Sequence, residues 1–381
     1  MAEGLVDRIL NAVSPLPAVR VSRTEEERRA VYQMRYRVYY EEQNEHRHPH
    51  LDHARREIHG PEDDLPETTN FYVGEPPAIS ASLSMRVWQP GAIPPDIFEK
   101  YALDRFPDIH TRVVCFGGYF MVAPEKRGTL AGLATIGGAF RHMLREHRMD
   151  LYIGDCAPGL LHAYRRFGAR PYGGRIFVNG GGIAVPIAVV VGDVEYFRNA
   201  GRYVHWRMKR HAEAGRLPSR PFAGLLPAFI EPGVDTSASG VQGAVDALLA
   251  RQPSAFLQRL PHKTRSRLLQ SAVLLDIDAG VDIMVEGFVE RDLFVVMEGS
   301  FEVLSNGATL NVVGPGEVLG ELAFFAGTGQ RSKTVRAATR GRVLHLRHGI
   351  VRRVAKKYPE EGLAVYETLA KVMVDRFAAK G

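Results

Sequence analysis

Short apolar runs alternate with segments of helical spacing through the first half of the chain. Helical spacing marks residues 24–42, 129–148 and 159–168. Strand-like apolar runs occupy residues 69–74, 79–88, 112–124, 150–156 and 176–190. Strands and helices mixed in this way pack as layers around one core. We therefore predict an α/β (α+β) domain over residues 1–192, with a mixed sheet flanked by helices.

The second half of the chain has a different pattern. A helical segment over residues 244–272 is followed by short strands that glycine turns separate. Apolar residues return to helical spacing towards the C-terminus. We predict a small β-roll flanked by helices over residues 244–381, joined to the first domain by a basic helical connector and linker over residues 193–243. The strand-like runs lie within residues 292–304, 308–320 and 342–351.

Length and composition suit a soluble protein with more than one core. The 381 residues exceed the size of an ordinary single domain. Apolar residues make up 45% of the chain, and no apolar run is long enough to span a membrane. The first residues lack the features of a signal peptide and are predicted as a short amphipathic helix. We expect a cytoplasmic protein without a transmembrane segment, and peripheral membrane contact stays open.

Neither the cysteines nor the histidines indicate a metal site. The two cysteines, Cys115 and Cys156, suit a reducing compartment. Five histidines lie close together around Pro49, which interrupts any helix that would align them, so we expect a solvated loop and no metal. The net charge of +6 is spread along the chain, so we expect no nucleic-acid partner. The five histidines are His46, His48, His50, His53 and His59.

The stretch GEVLGELAFFAGTGQRSKTV, residues 316–335, places glycines, a glutamate and an arginine in an apolar setting. A turn bounded by glycines presents consecutive backbone N–H groups, which suit a phosphate. Arg331 can add a two-pronged contact to the same phosphate. The Glu321 carboxylate would repel the phosphate but can accept a hydrogen bond from a sugar hydroxyl. The pattern therefore indicates a nucleotide monophosphate site, and a β-turn with two surface charges is the structural alternative.

Residues 280–346 closely resemble the cyclic-nucleotide-binding domain of kinase regulatory subunits, gated channels and bacterial regulators. The phosphate-binding cassette of that family, G-E-L-A followed by R-[AST]-A-T-V, is matched here by GELA at 320–323 and RSKTV at 331–335. The resemblance implies that Glu321 binds the ribose 2′-hydroxyl, that Arg331 binds the cyclic phosphate and that the amides of Gly320 and Leu322 complete the site. Ser332 would contact the phosphate or a purine edge, so the regulatory ligand is cAMP or cGMP. Lys333 replaces a residue that is usually small.

The first half resembles the GNAT superfamily of acyltransferases in the order of its elements and in two segments. RGTLAG, residues 127–132, resembles the superfamily loop [RQ]-x-x-G-x-[GA], with Leu130 in place of the first motif glycine. The resemblance implies that Arg127, Gly128 and Gly132 meet the pyrophosphate of a thioester donor at a helix N-terminus. HAYRRFGARPY, residues 162–172, resembles the segment that often carries the general acid, which assigns that role to Tyr164. A packed aromatic side chain is the alternative for Tyr164.

YQMRYRVYYEE, residues 32–42, strongly resembles the start of acyl-homoserine-lactone synthases and of long-chain N-acyl amino acid synthases. Arg35 and Tyr39 fall on the [LM]-R-x-x-V-[FY] motif of these enzymes, and Arg86 lies on a following strand. The resemblance implies that these three residues bind the donor or a carboxylate-bearing acceptor; a helix-surface charge is the alternative for Arg35. In the acidic loop that follows the motif, Glu62 or Asp64 would accept the proton of the amine through water. The loop also contains Glu57 and Asp63.

One strand departs from the homoserine-lactone synthases. Phe116 and Tyr119 stand where those enzymes have a glutamate and an arginine, so the charges that hold the lactone precursor are missing. We therefore expect another small amine acceptor, such as an amino acid. The imperfect pyrophosphate loop favours a long-chain donor on acyl carrier protein, with acyl-CoA as the alternative. The connector would dock an acidic carrier protein, although an ordinary solvated helix explains it as well. Its basic residues are Arg198, Arg202, Arg207, Lys209 and Arg210.

We expect the amine to attack the thioester directly. A backbone N–H near a bulge in the strand CFGGYFMV would polarise the carbonyl, and Tyr164 would protonate the leaving thiolate. A covalent route through Cys115 is disfavoured, because no histidine lies in a local motif with it. The sequence thus predicts an N-acyltransferase that a cyclic nucleotide controls allosterically. The alternatives are a cAMP-regulated protein lysine acetyltransferase that uses acetyl-CoA and a non-catalytic nucleotide sensor. Acyl chain length, the direction of control and the oligomeric state stay open.

Overall fold

The structure, a computed structural model, describes residues 16–378 except 47, 174–175, 180–181, 201, 219–220, 231–232 and 253–255. The amphipathic helix predicted at the start of the chain lies outside these residues. Two compact units are present. The sheet unit comprises the chain up to Pro95, Asp108–Gly154 and Val189–Gly224, and the roll unit comprises Asp96–Pro107, Asp155–Ala188 and the chain from Leu225 onward. The mixed α/β class and the C-terminal β-roll are both confirmed.

The elements are numbered along the chain. The strands are β1 (Val19–Val21), β2 (Leu51–Asp52), β3 (Glu57–Ile58), β4 (Thr68–Glu75), β5 (Ala78–Trp88), β6 (Val114–Val122), β7 (Leu151–Cys156), β8 (Arg170–Pro171), β9 (Phe177–Asn179), β10 (Gly182–Val190), β11 (Val234–Asp235), β12 (Val273–Ile277), β13 (Asp282–Met284), β14 (Leu293–Glu298), β15 (Phe301–Ser305), β16 (Ala308–Val313), β17 (Val318–Leu319), β18 (Thr334–Ala337) and β19 (Gly341–Leu346). The helices are α1 (Glu25–Arg35), α2 (Pro95–Lys100), α3 (Ala131–Glu146), α4 (Leu161–Arg165), α5 (Tyr196–Ala200), α6 (Arg202–Glu213), α7 (Ala238–Arg251), α8 (His262–Leu269), α9 (Glu321–Phe325), α10 (His348–Lys357) and α11 (Pro359–Ala378). No helix in the described part of the chain is long and apolar enough to cross a membrane.

The sheet unit has one twisted layer of strands with a helix on each face. Its strands follow the order β1–β4–β5–β6–β7, antiparallel except for the parallel pair β6 and β7. Neighbouring residues of a strand point to opposite faces. Tyr72 of β4 accordingly packs with Val31 and Met34 of α1, whereas the next residue, Val73, packs with Ala131 of α3. The core therefore lies in two layers, one under each helix.

Helix α1 begins at a capping box and is followed directly by a π-helical segment. The Thr24 hydroxyl accepts a hydrogen bond from the Glu27 amide, and the Glu27 carboxylate accepts one from the Thr24 amide. After Arg35 the chain continues as π-helix over Tyr36–Glu42. Such wider turns are rare and are frequent at functional sites. The predicted helix over residues 24–42 is confirmed, and its π-helical half is a feature that spacing alone does not predict.

Strand β6 contains the predicted bulge. Its register against β5 shifts between Ser82, which pairs with Met121, and Ser84, which pairs with Gly118. Two residues of β6, one of them Tyr119, therefore oppose a single residue of β5. Tyr119 has a φ of 51°, the left-handed conformation that a bulge requires and that tyrosine rarely adopts. The bulge predicted within CFGGYFMV is confirmed.

The last predicted strand of the first half is wrong in one respect. Residues 176–190 form two strands, β9 and β10, that pair antiparallel, with Asn179 opposite Gly182. Apolar residues on both sides of the reversal share the period of a strand, so the pattern does not reveal that the chain turns back. Strand β10 coincides with the second part of this run, and helices α5 and α6 lie within residues 193–243, where the sequence predicts helix.

The β-roll of the roll unit consists of two small antiparallel sheets. One follows the order β11–β12–β19–β14–β17 and the other the order β13–β18–β15–β16. Residues of β12, β14 and β19 form a core with the inner faces of α7, α8, α10 and α11, in which Val295, Leu344 and Leu369 are fully buried. The helices shield the apolar side chains of these strands from water, which the strands by themselves could not do. The predicted order of helix, roll and helix is confirmed.

Candidate functional site

A cavity of about 520 Å³ opens in the roll unit between the second small sheet, the turn before α9 and the end of α11. Strands β15 and β16 contribute apolar side chains, and α11 contributes Met373, Arg376 and Phe377. All five residues predicted to bind the nucleotide line this cavity, namely Gly320, Glu321, Leu322, Arg331 and Ser332. The tertiary structure therefore brings together the two separate halves of the sequence motif.

Gly320 allows the backbone to approach the arginine of the cavity. Its φ is 89°, which disfavours residues with a side chain. A Cβ atom at this position would lie 2.7 Å from the carbonyl oxygen of Asp292 and in collision with the Arg331 guanidinium. Helix α9 begins at the next residue, Glu321, which lines the cavity. The glycine of the G-E-L-A string thus has a steric cause.

The Arg331 side chain is almost fully buried, at 2% exposed, and is held by acceptors of the roll itself. Nη2 donates to Glu290 Oε2 over 2.8 Å and to the Asp292 carbonyl over 2.7 Å. Within the described part of the chain, Arg331 Nε has no hydrogen-bond partner. A buried donor without an acceptor is costly, and an anion in the cavity would satisfy it.

The carboxylates of Glu290 and Asp292 both lie near Arg331. Burial raises the pKa of Glu290, and the opposing charge of Arg331 limits that rise. Burial would also raise the pKa of Asp292, but the adjacent His345, the His348 amide and Arg331 lower it more, so that carboxyl is held ionised. An incoming phosphate would therefore enter a site in which Arg331 already has an anionic partner, and it must exchange with Glu290.

Glu321 also has a partner within the roll unit. Its carboxylate, in a side chain 12% exposed, accepts a hydrogen bond from Arg376 Nη1 over 2.6 Å. Leu322 and Ser332 are exposed at the mouth of the cavity. The Lys333 ammonium donates to Ser305 over 2.6 Å, so the residue that departs from the family pattern has a partner of its own. Arg376 is the site residue that the sequence reasoning missed, because helical spacing reports a buried face and not a charged partner far away in the chain.

A second group of predicted residues lies in the sheet unit, where Arg35 is fully buried. Its guanidinium donates to both oxygens of Asp63, over 2.6 and 2.8 Å, and to the side-chain oxygen of Asn70 over 2.9 Å. The guanidinium carbon also lies 4.1 Å from the centroid of the Tyr119 ring. Arg35 therefore holds the acidic loop and the bulged strand together from within, and it does not present its charge at a surface.

Glu62 lies next to the bulge. Its carboxylate accepts a hydrogen bond from the Tyr119 hydroxyl over 3.2 Å, and its other oxygen is 3.9 Å from His50 Nε2. Burial, followed by the charge of Glu62, raises the pKa of Tyr119, so this phenol keeps its proton. Asp64, the other predicted base, is 68% exposed and pairs with His59. Among the described residues, Glu62 is the predicted base that forms a hydrogen bond with the bulged strand.

The histidines of the loop contact tyrosines of the π-helical segment. The ring of Tyr39 lies 5.8 Å from that of His48 and 5.9 Å from that of Tyr119. Burial, together with the charges of His50 and Arg35, lowers the pKa of His48 to about 4. The loop is therefore packed in part, which differs from the expectation of a solvated segment. In the described part of the chain, no cluster of His, Cys, Asp and Glu has the arrangement of a metal site.

The remaining residues predicted to bind the donor are spread over the sheet unit. Arg86 is half-buried, and its guanidinium carbon lies 5.3 Å from the centroid of the Phe116 ring on β6. Arg127 is exposed and pairs with both carboxylate oxygens of Glu42. Gly128 has a φ of 81°, and Gly132 lies in the first turn of α3, where a Cβ atom would meet Val122. The loop therefore packs closely on the end of β6.

Tyr164 belongs to the roll unit, where it is half-buried on the short helix α4. The two cysteines are buried, and burial raises the pKa of both thiols well above the ordinary range. A thiol that keeps its proton is a poor nucleophile, which agrees with the expectation that Cys115 forms no acyl intermediate.

Comparison with known protein families identifies residues 275–358 as a cyclic nucleotide-binding domain. The chain is also 25% identical over 111 residues to the Pycsar effector protein BcPycTIR of Burkholderia cepacia. This match covers 29% of the chain and 37% of that relative, so the chain spans little more than a third of the relative's length. The C-terminal part of the chain is therefore a cyclic-nucleotide-binding regulatory domain, in agreement with the cassette and with the cavity that it lines.

Solved structures similar to the roll include a cyclic nucleotide-binding domain from Methylobacillus flagellatus KT, with 16% identity and a TM-score of 0.33 over 39% of this chain and 85% of that one. The regulatory domain of Toxoplasma gondii PKA with cAMP is 23% identical, with a TM-score of 0.27 over 30% of this chain and 44% of that one. The catabolite activator protein of Thermus thermophilus is 22% identical, with a TM-score of 0.29 over 33% of this chain and 60% of that one.

Proposed function

We propose that this protein is an N-acyltransferase whose activity is controlled by cAMP or cGMP bound to its C-terminal domain. The acyl group would be long and would come from acyl carrier protein or acyl-CoA. The acceptor would be a small amine such as an amino acid. Control would be allosteric, because the ligand site and the bulged strand belong to different compact units.

The nucleotide part of the proposal rests on the cavity of the roll unit. A cyclic phosphate needs a buried cation, and Arg331 offers a guanidinium with one unsatisfied donor. A ribose hydroxyl needs an acceptor, and the Glu321 carboxylate, which lines the same cavity as Arg331, supplies one. The apolar walls from β15 and β16 suit the base. These features support a cyclic nucleotide as the ligand and leave the choice of purine to experiment.

The single observation that carries the acyl-transfer part is the end of β6. The parallel pairing of β6 with β7 covers Val114–Gly117 and Leu151–Gly154, and β6 continues from there to Val122 with its bulge at Tyr119. A bulge redirects a backbone N–H out of the ladder. Such a donor suits the carbonyl oxygen of a thioester as it becomes negative during attack.

Glu62 is the proposed base. It lies within 3.2 Å of the Tyr119 hydroxyl, so it is next to the strand position where the amine would attack. The amine attacks as the neutral form, the carbon–sulfur bond breaks, and the proton of the tetrahedral nitrogen passes to Glu62 through water. Tyr164 is proposed to protonate the leaving thiolate. Arg35 would act from inside, because it anchors Asp63 next to Glu62 and supports the Tyr119 ring.

The donor is proposed to lie near the start of α3. A cavity of about 620 Å³ in the sheet unit adjoins Thr129, Leu130 and Ala131 at this helix terminus and includes Lys126 and the ion pair of Arg20 with Glu75. A helix N-terminus with a nearby cation such as Lys126 favours a phosphate group, such as the one that carries a pantetheine arm. The basic helix α6 is the proposed docking surface for an acidic carrier protein.

The test is thioester turnover, measured as free thiol released by the full chain. The donors are acetyl-CoA, palmitoyl-CoA and a long-chain acyl carrier protein, each with an amino acid mixture as acceptor and with or without cAMP or cGMP. Long-chain turnover that a nucleotide changes supports the proposal. Turnover with acetyl-CoA alone would favour the acetyltransferase alternative, and turnover that bound nucleotide does not change would contradict the regulatory part.

A second candidate is a nucleotide-responsive effector without acyl transfer. The observation that favours it is the partial similarity to a protein named as a Pycsar effector. This candidate predicts tight nucleotide binding together with no thiol release from any donor. It also predicts that Glu62→Gln leaves every nucleotide response unchanged, whereas the acyltransferase proposal predicts lost turnover.

A further inference from the structure

Asp292 lies between the phosphate-binding arginine and the start of helix α10, within the roll unit. Its carbonyl oxygen accepts a hydrogen bond from Arg331 Nη2 over 2.7 Å. Its carboxylate accepts one from the His348 amide, the first residue of α10, over 2.8 Å. The other carboxylate oxygen is 2.8 Å from Nε2 of the buried His345. One residue therefore connects the bottom of the nucleotide cavity to a helix N-terminus.

The residue that precedes α10 reaches a distant part of the same unit. Arg347 is the N-cap of α10, and its Nη1 donates to the Gly159 carbonyl over 3.1 Å. The Arg347 side chain also packs closely on this glycine, because a Cβ atom at Gly159 would lie 2.7 Å from Arg347 Cδ. Gly159 is in the short turn directly before α4, the helix that carries Tyr164. The absence of a side chain at Gly159 leaves room for this contact, and the glycine has no positive φ that would call for it.

We infer that Arg347 couples the nucleotide site to the turn at Gly159 and to helix α4. A cyclic phosphate that binds Nε and Nη2 of Arg331 exchanges there with Glu290 and draws the guanidinium away from the Asp292 carbonyl. Loss of that hydrogen bond lets Asp292 shift, and its carboxylate moves the start of α10 with it. Arg347, attached to that start, then loosens its contact with Gly159.

The coupling depends on the two contacts of Asp292. Its backbone carbonyl contacts Arg331 and its side chain contacts the His348 amide, so the backbone and the side chain cannot move far independently. Helix α10 packs on the core through Val351, which is 1% exposed. The inference rests on the proposed function only in the role of Tyr164, since the movement itself needs nothing but nucleotide binding.

The test is hydrogen exchange of the full chain, followed by mass spectrometry of peptides that cover residues 157–168. We expect saturating cAMP, or cGMP if that is the tighter ligand, to raise exchange in this segment at least threefold in the wild type. Arg347→Met keeps the aliphatic stem and removes the donor, so its segment should exchange at the raised rate without nucleotide and respond little to it. Arg353→Met, an exposed arginine on the same helix, is the control and should behave as the wild type.

Nucleotide affinity is measured for each variant by calorimetry. This distinguishes a failure of the proposed regulatory function from a failure of the coupling through Arg347. A wild type that binds neither cAMP nor cGMP overturns the proposed regulatory function and this inference with it. Binding without a change at residues 157–168 overturns the inference alone. A nucleotide response in Arg347→Met equal to that of the wild type also overturns it, and a lost response together with tighter nucleotide binding supports it, because coupling is reciprocal.

Discussion

The guanidinium of Arg376, on the C-terminal helix, donates a hydrogen bond to the Glu321 carboxylate over 2.6 Å. Glu321 is the residue whose position in the cassette implies contact with the ribose 2′-hydroxyl. The same arginine also donates to the Val318 carbonyl. The end of α11 is therefore attached to the ligand-binding face of the roll, and a nucleotide must compete with it for Glu321.

Removal of this competitor should strengthen nucleotide binding. We expect Arg376→Met to lower the Kd for cAMP about threefold to tenfold, because a partly exposed ion pair contributes on the order of 1 kcal/mol. Calorimetry with cAMP and with 2′-deoxy-cAMP checks this, and the gain should be small for the deoxy ligand, which leaves Glu321 without its hydroxyl. Lys371→Met, on an exposed face of α11, is the control. Weaker cAMP binding by Arg376→Met would show instead that Arg376 itself contacts the nucleotide.

The buried arginine should be indispensable for the ligand. We expect Arg331→Gln to weaken cAMP binding at least a hundredfold, because it removes a charge-assisted contact worth about 3 kcal/mol or more. The change also leaves Glu290 half-buried without a counter-charge, so the variant loses stability. The double variant Arg331→Gln/Glu290→Gln removes that cost and should recover the melting temperature but not the affinity. Recovered affinity in the double variant would contradict the role of Arg331.

Glu62 should matter for turnover and not for folding. We expect Glu62→Gln to reduce thioester turnover with an amino acid acceptor about a hundredfold, which is typical of a lost general base. Turnover of the wild type and of the variant should both rise with pH, because more of the amine is then neutral, and the ratio between them should change little. Glu26→Gln, at an exposed position of α1, should leave turnover unchanged. A Glu62→Gln variant with wild-type turnover at neutral pH would remove Glu62 from the mechanism.

The Arg35–Asp63 pair should contribute strongly to the stability of the sheet unit. Both side chains are fully buried, and loss of one partner leaves the other charge without compensation. We expect Arg35→Met to lower the free energy of unfolding by about 3–5 kcal/mol. Arg35→Lys should rescue little, because an ammonium cannot form the two-pronged contact. The exposed pair Arg37–Glu125 offers the control, and Arg37→Met should change the unfolding midpoint little.

His48 should make the sheet unit less stable in acid. Burial, with the charges of His50 and Arg35, lowers its pKa to about 4, whereas the unfolded chain has the ordinary value near 6.5. Between these values the unfolded state binds a proton that the folded state does not, so stability is complete above pH 6.5 and is lost as the pH falls towards 4.

We expect His48→Gln to remove about 1–3 kcal/mol of this acid-induced loss. Chemical unfolding of both proteins from pH 7 to pH 4 gives the difference. An NMR titration of the His48 ring checks the pKa directly. A ring that titrates near 6.5 in the folded protein would contradict the burial argument.

Local pattern was sufficient for most of the elements. The strands β4, β5 and β7 and the helix α3 agree closely with the runs and spacings of the sequence. Such segments are readable because the period of a strand or helix is a property of consecutive residues. The reversal between β9 and β10 was not readable, because both strands have the same apolar character.

The cassette could be located from the sequence for the same reason, since GELA and RSKTV are local strings with a local function. Arg376 and Asp292 could not, because their roles depend on which residues the fold brings next to them. Arg376 meets Glu321 across 55 positions of the chain, and Asp292 meets Arg331 across 39. No period or motif reports a pairing at such a separation.

Arg35 shows most clearly what the sequence determined and what the tertiary structure decided. Its sequence motif identified it as a residue of consequence, and the sequence alone left open whether its charge faces a substrate or solvent. The tertiary structure placed the charge at neither, because the packing of α1 on the sheet encloses the guanidinium. Buried partners compensate it, among them Asp63, Asn70 and the Tyr119 ring. The sequence by itself determined the elements and the residue types of both sites. Packing decided which charges are buried and therefore which must be paired, since the cost of an unpaired charge depends on its exclusion from water.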